Sequence, residues 1–305
     1  MLKLLCVAGV IFSLTACGSD SSSGSESGSD VEPGTDAQLL IEAGVVIAED
    51  IVDPEIGNGS SSRVTAFFAR YDDPVELSVI SNIFRRDIDT CVISPENDGI
   101  NRVDNILQGP SFDAISAGPQ LSFVSPGALT LLAPSITGGE PDIFYRVDPQ
   151  PPFPLPTGLR IDIPGQDFPA FNTSLPDVDP LTGFLPASSR SSTVVTSNTQ
   201  FTWQAGTDSN ARILIRSDIN NQEGIQPPEG FDCEFINEDG FCQLSALDFY
   251  CDVQDDGFFE FPEEIKTALG FEYVNQGELL AVRRSLTAVQ QGSTALLLVR
   301  ERRAD

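Results

Sequence analysis

Leu159-Arg160-Ile161-Asp162-Ile163 alternates apolar and charged side chains without a break. A period of two belongs to a strand with one face in a core, so Leu159, Ile161 and Ile163 are expected inside and Arg160 and Asp162 outside. Ile143–Val147 alternates in the same way, and the Pro149-Gln150-Pro151-Pro152-Phe153-Pro154-Leu155-Pro156 run between them reads as a stiff connector. Upstream, Arg63-Val64-Thr65-Ala66-Phe67-Phe68 reads as a strand. Leu121–Val124 and Ala128–Ala133 form an expected hairpin about Ser125-Pro126-Gly127. Downstream, Phe201 and Trp203 share one strand face, with Trp203 assigned to the core, and Ala211, Ile213 and Ile215 share the next, with Arg212 and Arg216 turned away. Leu279–Arg283 and Ala295–Arg302 close the set. One helix is expected, with Pro262 in its first turn, Glu263 and Glu264 at the positive end of its dipole, Ile265–Leu269 as its body and Gly270 as its stop. Short strands punctuated by Gly, Pro, Asn and Asp predict an all-β chain of two antiparallel β-sandwich halves, residues 37–186 and 187–305.

Ahead of these halves the chain has another character. Met1-Leu2-Lys3 is followed by an apolar run to Ala16 that is too short to span a bilayer, and then by Cys17. Residues 1–16 therefore read as an export leader, and residues 17–36, almost all Ser, Gly, Asp and Glu after the cysteine, as a flexible linker that cannot build a core. Leu14-Thr15-Ala16-Cys17 closely resembles the lipobox of bacterial lipoproteins. That resemblance implies a mature N-terminus at Cys17 bearing a diacylglyceryl thioether and an amide-linked acyl chain. It also implies attachment to a membrane through lipid, and Gly18 after the cysteine points to the outer membrane. As a Gly/Ser tether the linker spans roughly 20–25 Å.

The 305 residues carry 45 acidic and 17 basic side chains, a net charge of −28. Loss of Lys3 with the leader would take it to −29. Such a field repels nucleic acid and anionic lipid, so neither is expected as a partner. Lysine occurs only at Lys3 and Lys266. An acidic, lysine-poor surface suits a salty habitat, where screening relieves self-repulsion, and equally an ordinary solvated surface.

With Cys6 in the leader and Cys17 lipidated, Cys91, Cys233, Cys242 and Cys251 remain. An even count in an exported chain predicts disulfides. If all four pair, Cys91 must bridge to the cluster formed by the other three. Zinc is disfavoured because the chain has no histidine and no CxxC spacing.

A second resemblance rests on Phe201-x-Trp203-x-x-Gly206, the strand around Ile213 and Ile215, Cys251-x-Val253-x-Asp255-Asp256-Gly257-x-Phe259-x-Phe261-Pro262, and Leu280-x-Val282-x-Arg284. These residues resemble an Ig-like β-sandwich unit of bacterial lipoproteins. Ser116-Ala117-Gly118 and Pro164-Gly165-x-x-Phe168-Pro169-Ala170-Phe171 resemble the segment before it. The resemblance implies a fold and an address, and it carries no catalytic residues.

For chemistry, residues 252–263 fit a twelve-residue calcium loop, with donors Asp252, Gln254, Asp256, the Phe258 carbonyl, Glu260 and Glu263 and a tight turn at Gly257. No helix is expected before it, and Pro262 stands where the closing helix would start. A hairpin turning at Asp256-Gly257, with Val253, Phe259 and Phe261 inward, is the preferred reading, and no other cofactor is expected. Serine–histidine and cysteine–histidine catalysis are ruled out by composition, and no phosphate-binding loop occurs. The expectation is a non-enzymatic structural or binding module of the cell envelope that meets an envelope protein or glycan. A polysaccharide-active enzyme using two carboxylates and a calcium-stabilised adhesion domain are the alternatives.

Overall fold

The computed structural model describes residues 39–53, 59–82, 84–85, 87–94, 111–127, 129–138, 143–149, 153–187, 195–196, 198–219, 247–269 and 279–304. Within them the chain is all-β and sandwich-like. Its first strands are β1 (Leu39–Asp53), β2 (Gly59–Glu76), β3 (Thr90–Ser94), β4 (Phe112–Ala114) and β5 (Gln120–Val124). Then come β6 (Thr130–Thr137), β7 (Ile143–Val147), β8 (Arg160–Ile163), β9 (Phe171–Ser174) and β10 (Gln200–Thr202). The last five are β11 (Arg212–Ile219), β12 (Leu247–Gln254), β13 (Phe258–Glu260), β14 (Leu279–Gln291) and β15 (Thr294–Arg303). Among the described residues there are two short helices, α1 (Leu77–Ser81) and α2 (Glu263–Leu269).

Most strands form one path in the order β3-β12-β11-β14-β15-β1-β2-β7-β6-β5-β8-β9, with β4 added to β2, while β10 and β13 make a separate pair. The sheet is mixed where antiparallel halves were expected. β1 runs parallel to β15, with Glu42 opposite Thr294 and Asp50 opposite Arg302. The first described strand and the last are thus neighbours at the centre of the sheet.

The β5–β6 hairpin forms where expected, with Phe123 opposite Leu131, and Leu159, Ile161 and Ile163 are buried. β6 pairs with β5 through its first half and with β7 through its second, so the sheet turns a corner along this strand. The turn lays β5, β8 and β9 over β1, β2 and β15 and encloses a first core containing Phe68, Phe123, Tyr145, Phe168 and Leu298. Gly44 makes that packing feasible: a Cβ there would lie 2.6 Å from the Phe68 ring. Phe68 instead meets Tyr145 edge-on, and the Tyr145 hydroxyl donates to the Gly118 carbonyl.

A second core gathers Phe184, Phe201, Trp203, Phe259, Phe261 and Ile265 under β11, β12 and β14, with Trp203 inside as expected. A third lies on the opposite face of β1, β14 and β15 and is faced by α1, with Ile80 and Phe84 packed in it. α2 occupies the expected span, its first turn acidic. Cys91 on β3 is bonded to Cys251 directly opposite on β12, across a sequence separation of 160 residues. Cys17, Cys233 and Cys242 lie outside the described residues, as do the leader and linker.

Candidate functional site

The segment from Asp252 to Glu263 holds the sequence's best ligand pattern, and its backbone corrects the hairpin reading. β12 pairs with β11 and β3 in the large sheet, whereas β13 pairs with β10 in the small one. Residues 255–257 are therefore a corner between two sheets. Gly257 takes φ 99°, a left-handed conformation that a side chain would strain. Val253, Phe259 and Phe261 do face the core.

The six expected ligands are spread along this path. Asp252 is buried within the sheet, and its backbone carbonyl accepts from the Asp89 N–H. The Gln254 N–H donates to Asp89 Oδ1. Asp256 Oδ1 accepts the Phe258 N–H, closing its own turn. Phe258 and Glu260 point outward, and Glu263 pairs with Lys266 at 3.0 Å. Among the described residues no group of three or more acidic or cysteine side chains stands close enough to hold a metal ion.

The group that organises this corner is Asp255. Its Oδ2 meets Arg283 Nε at 2.7 Å, its Oδ1 accepts from Trp203 Nε1 at 2.8 Å, and the Gly206 N–H donates to Oδ2 at 3.2 Å. Both partners of the ion pair are almost wholly buried. Arg283 also donates to the carbonyls of Pro180 and Gln204 and so holds two passing loops. A Cβ on Gly206 would sit 2.6 Å from Asp255 Oδ2, which explains why a glycine stands three residues after the tryptophan. Trp203, Gly206, Asp255 and Arg283 thus act as one bonded unit.

Arg283 opens a row of polar groups across four strands, with Arg302, Asp50 and Ser62 in register beside it. Asp50 Oδ2 meets Arg300 at 2.7 Å and Arg302 at 3.2 Å, and its Oδ1 accepts from the Leu155 N–H at 2.7 Å and from Ser62 at 3.1 Å. Arg300 in turn donates to the Leu155 carbonyl, which fixes the end of the proline-rich connector. Burial presses the Arg300 guanidinium toward losing its proton, and Asp50 opposes that. On the other face Arg284 pairs with Glu301 at 2.7 Å and donates to the Phe84 carbonyl. Asp179, in the loop above the row, is held below its ordinary range by the hydroxyl and N–H of Thr207.

Asp255, Asp50 and Asp179 each accept two or more donors, and Arg283, Arg284 and Arg300 each divide their fork between a carboxylate and a loop carbonyl. Pairs held in this way tie the passing loops to the sheet, so the row serves as a clamp. The sequence reading passed over these residues, yet they carried a signal. Arg283 shares the strand face of Leu279 and Ala281, and Arg300 that of Leu296 and Leu298, so each puts a charge on an apolar face.

Comparison with protein families, with characterised proteins and with solved structures returns no match to this chain.

Proposed function

We propose that this chain is a lipid-anchored protein of the bacterial cell envelope that works as a structural or binding module. The observation that carries the reading is the Cys91–Cys251 bridge, because disulfides persist in oxidising, extracytoplasmic compartments. It agrees with the leader-like residues 1–16 and the lipobox-like Leu14-Thr15-Ala16-Cys17. Two acyl chains at Cys17 would supply stable attachment. The buried Asp50, Asp255, Arg283 and Arg300 tie loops to the sheet, which supports a structural or binding module.

The test is mass spectrometry of the native protein together with membrane fractionation. The expected result is a mature N-terminus at Cys17 carrying diacylglyceryl and acyl masses, in the outer-membrane fraction, with Cys17→Ser released from membranes. An unmodified Cys17, or a chain that keeps its leader, overturns the proposal. A melting temperature that rises in millimolar calcium, and ceases to rise in Asp256→Asn with Glu263→Gln, would move the reading to a calcium-stabilised adhesion domain.

A further inference from the structure

The small sheet turns Phe201 and Phe259 into the second core and leaves an outer face of unusual composition. At its centre Thr202 exchanges two backbone hydrogen bonds with Leu185, at 2.8 and 2.9 Å, and stands opposite Phe258 on β13. Leu185, Thr202 and Phe258 therefore form one row across three chain segments, with the outer two side chains about 10 Å apart at ordinary strand spacing. Leu185 is 58% exposed and Phe258 49% exposed. The neighbouring outward positions, Gln200 and Glu260, are polar, as the outside of a strand should be. Phe258 breaks that alternation beside a second large apolar side chain. A large exposed apolar pair rimmed by polar groups is the composition of a contact surface.

The rim fixes the sign of the partner. Asp256 and Glu260 flank Phe258 along the chain, and Glu263 and Glu264 follow on the first turn of α2. Lys266 pairs with Glu263 and also feels the charge of Glu260, so one cation stands against four carboxylates on this rim. The whole chain adds a net charge of −28, which attracts cations from a distance and turns away phosphate, uronic or sulfated groups. We infer that the Leu185–Thr202–Phe258 row docks a cationic polypeptide segment, its apolar side chains seated on Leu185 and Phe258 and its Lys or Arg side chains on the acidic rim. The inference rests on the binding-module reading and names its partner class.

The test uses the full-length protein in mild detergent and three labelled nine-residue peptides followed by fluorescence polarisation. One peptide alternates Lys with Leu and Phe, one replaces each Lys by Glu, and one replaces each Leu and Phe by Ser. The expected result is binding of the first alone, weakened tenfold or more in Leu185→Ser with Phe258→Ser and left within twofold in the distant control Leu132→Ser. Glu260→Gln with Glu264→Gln should weaken it several-fold and flatten its salt dependence. Circular dichroism and melting temperature verify that each variant is folded. If the row variant loses its fold, the charge variant and the peptide series decide. Equal binding by the parent and the folded row variant overturns the inference while leaving the module reading intact. So does equal binding of the Lys and Glu peptides, or binding of neutral oligosaccharide with none of the Lys peptide. The module reading itself fails separately, on the state of Cys17.

Discussion

Asp255 is one of 45 acidic residues, and nothing local in the sequence separates it from Asp252 or Asp256. Its importance arises from position: the corner between sheets puts its carboxylate against the Arg283 guanidinium and the Trp203 indole. Removing one partner of a buried pair strands the other charge, so Asp255→Asn should cost roughly 3–5 kcal/mol. Thermal melting followed by Trp203 fluorescence measures this, and a loss below about 1 kcal/mol would contradict the clamp. Tyr71 gives a pH-dependent counterpart. Burial pushes its phenol from 10.0 up to about 12, because the charged form is the one that loses solvation. The unfolded chain then ionises first as pH rises, so the stabilisation is intact below pH 10 and lost from there toward 12. The loss over that window is on the order of 2–3 kcal/mol. Tyr71→Phe should remove this part of alkaline unfolding, read as melting temperature between pH 9 and pH 11.5.

The elements that the sequence reveals best are those with one wet face. β8 displays Arg160 and Asp162 outward, and its pattern is plain in five letters. β1 and β15 are central and buried on both faces, as Leu296-Leu297-Leu298-Val299 shows, all with negligible exposure. Alternation vanishes in such strands, and parallel pairing goes with continuous apolar runs. That is why β1 escaped sequence analysis and why the parallel pairing was not foreseen. The disulfide was half legible: pairing of all four cysteines would require a bridge from Cys91 to the later cluster, but only the β3–β12 ladder selects Cys251. Among the described residues β3 is the last strand of its sheet, and its strand partner there is β12. Replacing both cysteines by serine should therefore lower stability by up to about 5 kcal/mol, the loop entropy of a bridge this long. Chemical denaturation of the double variant measures it, and an unchanged midpoint would mean that β3 contributes little.

At the scale of the molecule, two cores share their long strands. Along one face of β15, Leu296 and Leu298 belong to the first core and Arg300 and Arg302 to the charged row, and Ala304 just past its end belongs to the second core. The chain itself crosses over between Leu175, in the first core, and Leu181, in the second. Strands common to both cores tie their unfolding together. Far-UV circular dichroism, which reports all strands, and Trp203 fluorescence, which reports the second core, should trace coincident transitions. Two separated midpoints would show that the arginine row is a seam rather than a weld.

The adjacency of β1 and β15 also sets a timetable. Glu42 and its neighbour Thr294 are 252 residues apart, so at ribosomal speeds of ~5–20 residues per second β1 is made roughly 10–50 seconds before its partner. Until then its edge is bare, and a nascent chain stalled before residue 279 should be cut by protease within residues 39–53. On the export route proposed above, such late closure would leave the chain loose enough to be threaded through a translocon.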